Sequence, residues 1–336
     1  MDYSIAQKFA AALISTGLAV TAHSAPHKYK LIDLGVESLG MYTSVNDLGD
    51  ATGTRWTADG YTHAIVFSHG VVKDLPPPVG SYASGKGIND LGVVICNIET
   101  PPSPNHAYVY AGGKLSPIAP LSAGYNEPWG INFVGHVVGT SATTAGPNHA
   151  FLYVNGVSKD LGTLGGPSSD ARSINNLNAI TGSADTADGR SFAYLYVEGQ
   201  MKSLGALGGN QSWGYSINDR SEITGAATVP GDAGYYHAFL YSHNVMKDLG
   251  TLGGNYSSGQ GINLLSHVVG TGDTPDGSYH GFIYVDNTIT DLNTLLENSD
   301  GWTIAAGVAI NTLDQLLCEA SDPDGYYHFV ILKPTN

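Results

Sequence analysis

Lys86, Trp129, Arg172 and Tyr215 follow one another at intervals of 43 residues and set an ammonium, an indole, a guanidinium and a phenol in series. Gln260 continues the series, and Thr43 and Val308 stand at its two ends. Aromatic surfaces beside fixed cations suit sugars, above all sugars that carry carboxylates. An arginine that neutralises a uronic carboxylate next to a tyrosine that moves a proton would also support β-elimination. Arg172 and Tyr215 are therefore the candidate catalytic pair of a polysaccharide lyase, with Lys86 assisting. The stretch "GTRWTADG" adds Arg55 and Trp56, and "ADGRSF" adds Arg190. The expected ligand-binding set is Arg55, Trp56, Lys86, Trp129, Arg172, Arg190, Tyr215 and Gln260, facing a glycan or a small acidic ligand; a protein–protein interaction platform, which needs no single residue cluster, is the third reading.

These residues matter only if the chain gathers them, and a repeat does so. The dipeptide Ile/Val-Asn recurs at Asn46, Asn89, Asn132, Asn175, Asn218, Asn263 and Asn311, with spacings of 43, 43, 43, 43, 45 and 48. A second marker keeps the same phase at His63, His106, His149, Phe192, His237, His280 and His328. Two markers in phase over seven copies define a repeat array from about residue 28 to the end. Each copy holds four short β segments separated by turn residues, and Asn155-Gly156 between two alternating runs signals a two-residue hairpin. Four antiparallel strands per unit at this period predict an all-β fold, a seven-bladed β-propeller. The seventh unit has only three strands, and "KYKLIDLG" at 28–35 matches the missing fourth, so the N-terminal strand is expected to complete the last blade and close the ring. In such a ring the variable position, three residues before each marker asparagine, falls near the start of the innermost strand. It shares a face with the loops between second and third strands, around the channel mouth, where concave sites form by default.

The motifs "HAFLY", "DLGTLGG", "SIN" and "VVGTS" resemble the HAF-repeat family of predicted extracellular bacterial proteins over essentially the whole chain after its leader. The resemblance implies secretion and a repeat fold, and it implies little about activity. The histidine that gives the motif its first letter reads as scaffold. In the register set by Asn155-Gly156 it lies diagonal to an aspartate on the fourth strand, giving His149/Asp160, His63/Asp74, His237/Asp248 and His280/Asp291. Blade 4 lacks both partners, with Phe192 and Ser203, and one histidine per blade spread round a ring cannot converge on a metal.

Composition narrows the remaining classes. A net charge of −15 with 14 basic residues argues against nucleic acid as partner. Residues 1–24 read as a signal peptide, with Lys8 before the apolar "FAAALISTGLAV" and small residues in "TAHSA". The run is too short for a confident membrane span, so no membrane partner is expected and the product is secreted or periplasmic. Residues 25–336 are expected to form one propeller domain, acting as a monomer. Cys96 and Cys318 each fall seven residues after a marker asparagine, where other copies carry glycine. Blades 2 and 7 are not adjacent, so two unbridged, buried thiols are expected. The loops "DTADG", "DTPDG" and "DPDG" resemble calcium loops but lack further oxygen ligands, and Asp-Gly turns account for them. No metal and no cofactor are expected.

Overall fold

The computed structural model describes residues 27–37, 43–231 and 234–335; the leader expected over residues 1–24 lies outside them. Seven four-stranded antiparallel sheets stand in a ring, a seven-bladed β-propeller, and among the described residues one short 3-10 turn, Leu292–Leu295, is the sole helical element. Six blades follow chain order, at residues 44–75, 82–117, 126–160, 165–203, 212–248 and 257–291. The seventh combines Thr303–Ile310, Leu316–Ser321 and Tyr327–Thr335 with the N-terminal strand Lys28–Glu37, which pairs antiparallel from Lys28↔Thr335 to Asp33↔Val330. The closure expected from the sequence is therefore present.

Alternation along the strands places apolar side chains between blades, so each hydrophobic cluster draws on two neighbours. Val138, Ala150 and Leu161 of blade 3 pack with Ala171, Ile180 and Tyr194 of blade 4. Leu34 and Val36 of the closing strand pack with Ile65 of blade 1 and with Leu317 and Phe329 of blade 7. Phe151, Phe239 and Phe282, the third letter of the repeat motif, are fully buried, and each contributes about 1.5–3 kcal/mol by leaving water. Room for two of these rings comes from glycine. A Cβ at Gly139 would meet the Phe151 ring at 2.8 Å and the carbonyl of Glu127 at 2.0 Å, and one at Gly270 would meet Phe282 at 2.8 Å. Cys96 and Cys318 occupy this slot in blades 2 and 7; they face Tyr108 and Val330, are buried, and are not bridged.

The marker asparagines close a circuit of their own. Asn46, Asn89, Asn132, Asn175, Asn218 and Asn263 each donate Nδ2–H to the backbone carbonyl of the next marker, at 2.9–3.2 Å. Asn311 returns the bond to Asn46 at 3.1 Å. In Asn175 the other side-chain atom, Oδ1, accepts from Leu177 N and Ala179 N and so holds the turn into the second strand. One side chain thus fixes both its own turn and the next blade, which is why the dipeptide keeps its period.

The histidine slot behaves as scaffold in most blades. His149, His237 and His280 meet Asp160, Asp248 and Asp291 at 2.8, 2.8 and 2.7 Å, and His328 meets Asp33 of the closing strand at 3.2 Å. Asp160 and Asp248 also accept from Gly162 N and Gly250 N, which explains the recurrent Asp-Leu-Gly. Blade 1 departs from the expected His63/Asp74 pair. Arg55 lies opposite His63 on the second strand and forks onto Asp74, Nε to Oδ1 at 2.7 Å and Nη2 to Oδ2 at 2.6 Å. A two-pronged charged contact outcompetes a single imidazole bond, and His63 turns to Asp59 at 3.2 Å. The hairpin at Asn155-Gly156 has φ of 52° and 88°, the two positive values of a primed turn.

Candidate functional site

Antiparallel order sends the blade-to-blade connections and the second-to-third-strand loops to one face, here called upper. The first-to-second turns and third-to-fourth hairpins lie on the lower face. Past the midpoint of the innermost strands, three residues before the marker asparagine and so farther from the strand start than expected, the register slips by one residue in six blades. The skipped residues are Lys86, Trp129, Arg172, Tyr215, Gln260 and Val308, the variable series itself. A bulge leaves one residue outside the ladder and re-aims its side chain. No cross-strand partner then dictates its type, which is the physical reason the repeats disagree at this position.

Three of these side chains meet across consecutive blades. The Lys86 ammonium lies 4.5 Å from the centre of the Trp129 ring and the Arg172 guanidinium 4.3 Å from it, both within cation–π range. Each cation has a carboxylate. Lys86 Nζ sits 2.9 Å from Glu127 Oε1, with both side chains largely buried, and Arg172 Nε donates to Asp170 Oδ1 at 2.9 Å. Both acids stand two residues before a bulge, Glu127 before Trp129 and Asp170 before Arg172. Tyr125 OH donates to Glu127 Oε2 at 2.5 Å, and Ser183 Oγ donates to Asp170 Oδ2. Burial, with Glu127 alongside, pushes the Tyr125 phenol well above its ordinary value, so it remains a neutral donor.

Beside this cluster, between blades 3 and 4 on the upper face, opens a cleft of about 310 Å³. Tyr125 and Trp129 give it aromatic wall. Ser168, Ser183, Ser191, Thr140 and Asn148 line it with hydroxyls and an amide, and Asp170, Asp185 and Arg172 complete it. Chemically this is a polar recess with donors and acceptors of several kinds beside aromatic surface.

The remaining sequence-selected residues are not among the residues lining this cleft. Arg55 is held by Asp74 on the outermost strand of its blade, and the exposed Trp56 packs edge-on to Tyr82. Arg190 pairs with Asp188 at 2.6 Å and covers the Phe192 ring at 5.2 Å. Gln260 Nε2 donates to Ser258 Oγ at 2.9 Å, and Tyr215 is half-buried two blades from Trp129. The acidic loops use their carboxylates on their own turns, as where Asp276 Oδ1 accepts from Thr274 Oγ1 at 2.5 Å and from Ser278 N at 3.0 Å. Among the described residues no group of three or more His, Cys, Asp or Glu side chains is placed to hold a metal.

An aromatic feature on the same face is absent from the sequence-selected set. Trp213, Tyr236, Tyr256 and Tyr279 touch edge to face in a row, with ring centres 5.1, 6.5 and 5.9 Å apart. Tyr235, Tyr279, Tyr326 and Tyr327 are 42–62% exposed. The signal was legible just before the histidine slot, which reads Tyr-Tyr-His at 235–237 and 326–328 and Ser-Tyr-His at 278–280. Blades 5 to 7 therefore present tyrosine where blades 2 to 4 present Asn105, Asn148 and Ser191.

No family model and no curated protein matches the chain. Solved propellers are similar in fold. The BP39L lectin from Burkholderia pseudomallei aligns with a TM-score of 0.51 at 9% identity, over 90% of this chain and 98% of that one. The β-propeller domain of the Trilobed protease from Pyrococcus furiosus, described as having an open velcro topology, gives 0.54 at 9% identity, over 92% and 98%. TolB from Acinetobacter baumannii gives 0.50 at 12% identity, over 86% of this chain and 65% of its own length. At such identities the likeness speaks for the fold alone.

Proposed function

We propose that this propeller is an exported glycan-binding protein of the HAF-repeat type, and that it holds a neutral sugar in the cleft between blades 3 and 4. The observation that carries this reading is the recess itself, where aromatic wall from Tyr125 and Trp129 stands beside hydroxyls and an amide. A pyranose offers C–H faces to an aromatic ring and hydroxyls to donors and acceptors, and the recess supplies both. The charges favour a neutral ligand over an acidic one. Glu127 and Asp170 already neutralise the two cations, and Asp185 adds a further carboxylate. The same pairing weakens the elimination reading, because the Arg172 guanidinium that should meet a uronate is engaged by Asp170.

The test is a glycan array probed with the mature protein, followed by titration of a neutral hit against the wild type and Trp129→Ala. A loss of about tenfold or more in affinity is expected, about 1.4 kcal/mol. An empty array, or an undiminished Trp129→Ala, would end the reading. Release of unsaturated uronate from acidic polymers would replace it with a lyase.

A further inference from the structure

The lower face carries a second feature that the upper-face site does not use. Among the described residues, exposed large apolar side chains sort by face: those of the upper face are aromatic but for Val79, and those of the lower face are aliphatic. At the tips of the first-to-second-strand turns stand Leu48, Leu91, Val134, Leu177 and Leu313, between 47 and 69% exposed, and in blade 6 Leu264, one position before the tip, is 37% exposed. Six of the seven blades thus place an aliphatic residue round the lower mouth of the channel, with Arg220 at the tip in blade 5.

Recurrence here has a different meaning from recurrence of the histidine. The histidines recur and are satisfied by carboxylates; these leucines recur and stay in water. The turn does not need them, since its geometry rests on the marker asparagine accepting backbone N–H groups, and Arg220 N serves as well as Leu48 N. Aliphatic side chains kept in solvent in blade after blade round one mouth point to an interaction site.

The residues beside the crown indicate what covers it. Asp47, Asp90 and Asp219, one position before the tips, accept from Thr312 N, Asp47 N and Asn176 N at 2.8–2.9 Å, which fixes their carboxylates around the same mouth. Burial pushes the Asp90 carboxyl up, and the Asp47 and Asp219 carboxylates stand near enough to add to the shift. Two such faces brought together would oppose like charges, and an anionic lipid surface would be repelled. A segment that is both apolar and basic satisfies the two components at once.

We propose that the lower mouth is a docking surface for a basic amphipathic segment of another protein, whose apolar side chains sit among the crown residues while its Lys or Arg groups meet Asp47, Asp90 and Asp219. The test uses a synthetic Leu/Lys amphipathic peptide and its Leu/Glu counterpart, titrated by fluorescence anisotropy against the full protein. The Leu/Lys peptide should bind and weaken with added salt, and the Leu/Glu peptide should not bind. The variant Leu48→Ser, Leu91→Ser, Leu177→Ser, Leu313→Ser should lose about tenfold or more in affinity. Its four sites are exposed, and an unchanged circular dichroism spectrum and melting temperature would verify folding. Val71→Ser, Val157→Ser, Val245→Ser on the outer hairpins of the same face should bind as the wild type does. Asp47→Asn, Asp90→Asn, Asp219→Asn keeps an amide oxygen to accept from the three backbone N–H groups and should also lose affinity. Binding that survives the leucine substitutions would overturn the proposal, as would failure of the Leu/Lys peptide to bind. So would self-association in sedimentation, or binding to phosphatidylcholine vesicles, that the same substitutions abolish. Because the glycan assay reads the opposite face, the two results are independent.

Discussion

Replacing Asn175 by alanine tests whether the marker circuit holds the blades together. The side chain is 4% exposed, and it donates to Asn218 O at 2.9 Å while accepting from Leu177 N at 3.0 Å and Ala179 N at 2.8 Å. Alanine leaves the buried N–H of Ala179 without an acceptor, at about 1–3 kcal/mol. It removes one of two donors from Asn218 O, which keeps Ser221 N, for about another 1 kcal/mol. Leu177 is exposed, so water replaces most of its lost bond. The expected destabilisation is roughly 3 kcal/mol. Asn176→Ala is the control: its side chain also bonds to the next blade, through Asp219 Oδ2 at 2.9 Å, and accepts from Phe133 N, but it is exposed and should cost under about 1 kcal/mol. Equilibrium urea unfolding of the three proteins, followed by tyrosine and tryptophan fluorescence, gives both values. If Asn175→Ala costs no more than Asn176→Ala, the circuit is a by-product of the turn and the reasoning fails.

Three further outcomes follow from the same geometry. Arg55→Ala breaks the fork to Asp74, a half-exposed pair, and should cost about 1 kcal/mol or less while leaving glycan titrations unchanged. Glu222 is held in its charged form: burial opposes the charge, but hydrogen bonds from Ser266, Asn218 and Ser242 together outweigh it and lower its pKa. A lowered carboxylate pKa contributes stability that is complete above the unfolded value, about 4.3, and is lost as pH falls through the folded one. Urea midpoints of Glu222→Gln should therefore fall less steeply with acid below about pH 5 than those of the wild type. Burial pushes the Cys96 thiol up to about 12 and the Cys318 thiol higher still, so neither should react with a disulfide reagent at neutral pH until denaturant is added.

The fold was legible because its cause is repetitive. Marker asparagine and histidine slots recur since each makes the same bonds in successive blades, and a period fixed by such bonds is visible in one sequence. The variable series was legible as a disagreement among copies, but its bulge was not, since register depends on which backbone groups pair and no residue type encodes that. Arg55 shows the limit of motif reading: the expected pairing of His63 with Asp74 is sound until a stronger donor stands on the neighbouring strand. Lys86 looked available to a ligand because its partner, Glu127, belongs to the next blade, 41 positions away. Only the packing of blade 3 against blade 2 brings that charge within reach.

The bulged position also makes the molecule easy to change. Its side chain stands outside the ladder in six blades, while pairing, core and asparagine circuit are carried by other residues. Exchange there alters what the innermost strand presents without rewriting the wall behind it. Repeat duplication followed by drift at this single site would generate new sets of presented side chains in combinatorial fashion, one letter per blade. A library randomised at Lys86, Trp129, Arg172, Tyr215, Gln260 and Val308 would sample the same space in the laboratory on one shared scaffold.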